Sequence, residues 1–169
     1  HLDLEDIQGE SQTPKVDVYP NYLFLILHFP HWQADSQTVT AQEIDVFIGE
    51  NFLITIQHSK AKEMKNFFYR CLKNRSVNRD WMNQNSGYLL YRIIESLFSN
   101  AQPIMNQLAK NISALEDEIF QDQPDTGVIY ELAKLRRTIL NFRRILDPER
   151  YLIGTLSHTR KPFLNEATS

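Results

Sequence analysis

The sequence predicts an α/β protein of the α+β kind: a mixed, mostly antiparallel sheet flanked by helices, with a long antiparallel helical hairpin after it. Three observations carry this. Apolar runs of strand length fill the first third of the chain, and after Ser59 the apolar spacing changes to three and four residues. Two long apolar stripes then follow, separated by one short turn at residues 121–127 (QDQPDTG).

The strands come first. Residues 15–18 and 22–29 read as strands joined by a Tyr19-Pro20-Asn21 turn. The second, YLFLILHF, is apolar on both faces, as a central and covered strand must be. Residues 30–38 read as a polar loop. Residues 43–48 and 52–57 form a hairpin around Gly49-Glu50-Asn51, giving about four strands. The opening HLDLEDIQ alternates apolar and acidic residues and reads as a short helix or turn.

The helices follow. Residues 60–74 carry Met64, Phe67, Phe68, Cys71 and Leu72 on one stripe. Residues 74–85 are polar and read as a linker around an anchoring Trp81-Met82. From Tyr88 a stripe runs through Leu90, Ile93, Leu97, Ile104, Leu108, Ile112, Leu115 and Ile119, with Pro103 predicted to kink it or mark a junction. After the turn, Val128, Leu132, Leu135, Ile139, Phe142 and Leu146 repeat almost as a heptad up to Asp147-Pro148. Facing stripes joined by so short a turn predict an antiparallel pair long enough to project from the sheet. The assignment is therefore residues 1–84 to a sheet domain, 85–157 to the hairpin, and 158–169 to a segment leading onward.

Composition narrows the function classes. The 42% apolar content suffices for a core, and the net charge of −3 with a pI near 6.0 gives no global reason to expect nucleic acid or an anionic membrane as partner. Cys71 is the single cysteine, so neither an internal disulfide nor a thiolate metal cluster can form. No run approaches the ~20 apolar residues of a membrane span. The chain starts with His1 rather than Met, which reads as a piece of something longer, with further strands expected upstream.

Catalysis finds little support. The chain has five glycines and no phosphate-cradling loop, no Gly-x-Ser-x-Gly elbow, and its cysteine sits on an apolar helix face. His28-x-x-His31 invites a zinc reading, but it lacks the i, i+4 spacing and the glutamate of a metalloprotease, so His28, His31 and His58 are assigned structural roles. The hairpin's charges say more. Glu116, Asp117, Glu118, Asp122 and Asp125 make its tip acidic, while Lys134, Arg136, Arg137, Arg143, Arg144 and Arg150 make the returning helix basic. One reading is a solvated face of weak ion pairs. Another is an outer-shell attractor for hydrated Mg²⁺, which keeps most of its waters and needs one or two carboxylates. A nucleic-acid patch is disfavoured by the acidic net charge and the lack of interleaved aromatics.

The order of segments carries a resemblance. HLDLEDI, then PKVDVYPNYLFLILHFP, then QEIDVFIGENFLITIQH, then GYLLYRIIESLF, ALEDEIF and LAKLRRTILNFRRILDPER together resemble the cytosolic domain of CorA-type magnesium/cobalt transporters over nearly the whole chain. The resemblance implies a homopentamer on the cytoplasmic face of the cell membrane. It further implies a stalk helix after residue 169 and two membrane helices with a Gly-Met-Asn loop, all outside this sequence. It implies no enzymatic activity. In that family Mg²⁺ between neighbouring cytosolic domains holds the channel closed. The acidic ligand after the central strand corresponds here to Gln33, with Asp35 the nearest carboxylate. The metal-site candidates are therefore Gln33 and Asp35, with Glu116, Asp117 and Asp122 from the tip. Mg²⁺ is expected to bind weakly, with Co²⁺ or Zn²⁺ as other cations. A zinc-transporting branch of the superfamily and a soluble scaffold that docks partners through the hairpin stand as alternatives.

Overall fold

The computed structural model of the chain describes residues 13–57, 62–120 and 126–165. Four strands, β1 (Lys15–Val18), β2 (Tyr22–Gln33), β3 (Thr38–Gly49) and β4 (Phe52–Gln57), precede the helices. Among the described residues these are α1 (Lys62–Lys73), α2 (Arg75–Met82), α3 (Ser86–Phe98), α4 (Ala101–Ile119), α5 (Thr126–His158) and α6 (Pro162–Asn165). The sheet is a meander in the order β1-β2-β3-β4, with every described pairing antiparallel. The opening HLDLEDIQ, the turn at 121–125 and His58 lie outside the described residues.

β2 is apolar on both faces because both are covered. Leu23, Leu25, Leu27 and Phe29 point one way and pool with Ile44, Val46 and Ile48 of β3. The same core takes Met64 and Phe67 from α1, Leu90, Ile93 and Leu97 from α3, and Leu152 and Leu156 from α5. Phe24 and Ile26 on the opposite face are also fully buried, Phe24 packing against Phe47 in a tilted pair with centroids 4.6 Å apart.

Residues 30–38, expected to be a polar loop, are mostly sheet. β2 continues through Pro30 to Gln33 and β3 begins at Thr38, leaving a turn at 34–37. Two causes explain the difference. His28 donates its N–H away from β3, to Glu149 of α5. Two residues on, Pro30 presents its nitrogen to that same side, so no ladder bond is lost. The extension also buries apolar surface: Trp32 and Val39 pack with Ile104 and Leu108 of α4 and with Phe142 and Ile145 of α5 in a second core. Gln37 closes the turn at φ 54°, and its Nε2 donates to the Ala34 carbonyl (2.7 Å).

The expected linker at 74–85 holds helix α2. Asn74 caps it, its Oδ1 accepting from the N–H groups of Ser76 (3.0 Å) and Val77 (3.2 Å). Of the expected Trp81-Met82 anchor, Trp81 is buried, stacked on Phe67 (centroids 5.0 Å apart) beneath the guanidiniums of Arg70 and Arg92, while Met82 is exposed. The stripe from Tyr88 is broken into α3 and α4 at residues 99–100. Pro103 therefore falls in the first turn of α4, where N–H groups have no partner within the helix. α5 passes through Pro148 without ending, held by Phe142 and Ile145 on one side and by Leu152 and Leu156 on the other. At 33 residues it is about 50 Å long.

Candidate functional site

The β2–β3 turn and the hairpin tip meet. A pocket of about 250 Å³ lies between them, lined by Gln37 of the turn, Asn111, Leu115 and Glu118 of α4, and Glu131 and Lys134 of α5. Lys134 stands 3.9 Å from the Glu131 carboxylate, a loose ion pair on an exposed face. Glu116, Asp117 and Glu118 occupy the last turn of α4, beside the negative end of its dipole, where carboxylates weaken a helix by some tenths of a kcal/mol each.

Each sequence candidate can be located against this pocket. Gln33 ends β2, and its amide Nε2 donates to Thr40 Oγ1 (3.2 Å) across the ladder. Asp35 is exposed in the turn. Glu116 and Asp117 are exposed on α4, and neither lines the pocket that their neighbour Glu118 does. Asp122 and Asp125 lie outside the described residues. No group of three or more His, Cys, Asp or Glu among the described residues is placed to hold a metal ion. Among the described residues, the carboxylates near this turn do not form a cage able to strip a cation of its waters.

Sequence reasoning passed over the residue with the most unusual chemistry. Glu149 of α5 is 1% exposed, and burial pushes its carboxyl up to about 8, against the opposing pull of the His28 N–H. Oε1 accepts from that N–H, while Oε2 is buried without a hydrogen-bond partner. Glu149 thus covers the stretch of β2 that β1 is too short to pair. Its signal was available: Phe142, Ile145, Glu149, Leu152 and Leu156 step by three and four, so Glu149 stands in an apolar stripe continued past Pro148.

The described residues thus define a sheet packed with helices and carrying a long helical hairpin, with Glu118 beside the β2–β3 turn. The chain belongs to the CorA-like Mg²⁺ transporter protein family, whose model matches residues 1–169. It is 23% identical over 167 residues to the cobalt/magnesium transport protein CorA of Thermotoga maritima, covering 99% of this chain and 46% of that protein. It is 22% identical over 163 residues to the zinc transport protein ZntB of Yersinia enterocolitica, covering 96% of this chain and 47% of that protein. The chain spans about half the length of these curated relatives. The fold is that of the soluble domain of CorA from Methanocaldococcus jannaschii, with a TM-score of 0.78 at 22% identity over 95% of this chain and 63% of that one. The full-length CmaX protein gives a TM-score of 0.72 at 16% identity, over 98% of this chain and 49% of that one. No helix among the described residues is long and apolar enough to cross a membrane.

Proposed function

We propose that this chain is the cytosolic, metal-sensing part of a CorA-like divalent-cation transporter, without catalytic activity of its own. The match of the family model over the whole chain carries the reading. The membrane would be reached only through helices outside this sequence, with the chain on the cytoplasmic face and the parent a homopentamer. Mg²⁺ or Co²⁺ would be the cargo. The strongly exposed Phe120, Ile129 and Tyr130 near the hairpin tip suit packing against neighbouring copies.

Regulation would work by linkage. Asp35, with the tip acids Glu116, Asp117 and Asp122, places negative charge where copies meet, and a shared Mg²⁺ favours the symmetric closed arrangement by its differential affinity for it. Gln33 contributes an amide oxygen that can hold a metal-bound water but adds no charge. The site should therefore answer only to high Mg²⁺.

Two measurements test this. Calorimetric titration of the chain with Mg²⁺ should show only weak binding, in the millimolar range, further weakened by Asp35→Ala; tight stoichiometric binding by the chain alone would overturn the weak-site reading. The full-length parent in liposomes should carry Mg²⁺ or Co²⁺, and absence of any divalent flux would sink the transporter reading. The zinc-transporting alternative is favoured by the similarity to ZntB, and Zn²⁺ flux without Mg²⁺ flux would select it.

A further inference from the structure

His28 and His31 are three residues apart on β2, so they point to opposite faces and cannot share a metal ion. Each has found a carboxylate, and the two pairs differ. His28 sits opposite Glu43 in the β2–β3 register, Nε2 to Oε2 at 3.0 Å, a closed hydrogen bond with both side chains largely buried. His31 Nδ1 stands 3.7 Å from Glu63 Oε1, too far for a hydrogen bond.

Glu63, in the first turn of α1, is the less satisfied carboxylate. Its side chain is 9% exposed, and Oε1 takes one bond from the neutral amide of Asn100 (2.5 Å). Its Oε2 is buried with no hydrogen-bond partner. His31, Glu63, Asn100 and Gln107 line one pocket of about 330 Å³, closed on its apolar side by Trp32 and Ile104, and none of its lining residues is Lys or Arg. Gln107 Nε2 donates to Asn111 Oδ1 (2.9 Å), which turns the Gln107 carbonyl oxygen away from Asn111. The pocket therefore collects an imidazole, a nearly buried carboxylate and amide oxygens, with no cation to balance the carboxylate.

We propose that this pocket binds a divalent transition-metal ion of the zinc or cobalt class, with His31 and Glu63 as its protein ligands and water or the Gln107 carbonyl completing the shell. Two ligands with bonds of ~2.1 Å at a tetrahedral angle stand ~3.4 Å apart, so the observed N···O gap needs to close by only a few tenths of an ångström. Imidazole selects borderline ions over Mg²⁺, which prefers oxygen donors and its own waters. The site is separate from the β2–β3 turn and consists of this chain's residues alone, so its fate is independent of the transporter reading.

The test is a Zn²⁺ titration of the chain by calorimetry, paired with Co²⁺ titration followed by visible absorption. One equivalent should bind, a hundredfold excess of Mg²⁺ should leave it in place, and His31→Ala and Glu63→Gln should each weaken Zn²⁺ by at least ~10-fold, the lower end for disturbing a metal's ligand sphere. His28→Ala should bind as the parent does. Unchanged melting curves certify the variants; should Glu63→Gln fail to fold, His31→Gln at this half-buried position gives the same reading, and in the parent chain Co²⁺ should shift the His31 ring signals. Absence of Zn²⁺ binding up to high micromolar, or binding that His31→Ala leaves intact, overturns the proposal.

Discussion

The sheet core and the hairpin both carry long apolar patterns, yet they use them differently. In the sheet, Leu23, Leu25, Leu27, Phe29, Ile44, Val46 and Ile48 have no exposed surface at all. Along the hairpin, the stripe residues Ile112, Leu132 and Ile139 keep 37%, 50% and 37% of theirs, although Leu115 and Val128 toward the tip and Ile104, Leu108, Phe142 and Ile145 at the root are closed. A meander between helices on the same chain satisfies itself. Two helices alone bury one stripe each and leave the flanks wet, so the centre of the sheet is finished within the chain, while the hairpin, like the outer strands at Val18, Phe52 and Ile54, presents apolar surface to whatever lies beside it.

Truncating side chains in the two regions tests that contrast most strongly. Phe29→Ala removes a fully enclosed ring from the sheet core and should cost about 3–5 kcal/mol of unfolding free energy in denaturant titration. Leu132→Ala, on the half-exposed hairpin, should cost about 0.5 kcal/mol or less. Comparable losses would mean that the hairpin is as closed as the sheet.

Glu149 joins the two regions and should produce the next largest effect. Its carboxyl titrates near 8 when folded against an ordinary value of 4.5. A raised acid binds its proton more tightly in the native state, so its stabilising contribution is complete below pH 4.5 and is lost as the pH rises to about 8. Relative to Glu149→Gln, the parent should therefore lose a few kcal/mol between pH 5 and 8.5 and change little beyond. Parallel stability curves for the two proteins across that range would show that Glu149 is not held as the neutral acid.

How much of this was legible in the sequence follows from where the information sits. The four strands were readable because β2 is apolar on both faces and Gly49-Glu50-Asn51 marks the β3–β4 turn. The hairpin was readable because its stripes repeat for many turns. The extension of β2 past Pro30 was not, because the residues that bury Trp32 and Val39, from Ile104 to Ile145, come far later in the chain. Glu149 was passed over since Asp147-Pro148-Glu149-Arg150 looks like a polar helix end when read locally. The His31–Glu63 approach depends on α1 docking beside the end of β2, a placement that the spacing of residues 31 and 63 does not encode. Family membership was legible because it rests on the order of many segments and not on any single site.

α2 offers the smallest and sharpest test, since it lies where the sequence pointed to a linker. Its apolar residues are few, with Trp81 the single buried one, so local capping should matter more here than in helices held by a broad stripe. Asn74→Ala removes the acceptor for two backbone N–H groups and should lower stability by about 1 kcal/mol, while Asn74→Ser or Asn74→Asp should keep most of it. Hydrogen exchange should then quicken in α2 before it changes in β2 or β3. If Asn74→Ala instead loosens the sheet and α2 together, Trp81, wedged against Phe67 and under Arg92, binds α2 into the finished part of the molecule as firmly as the strands themselves.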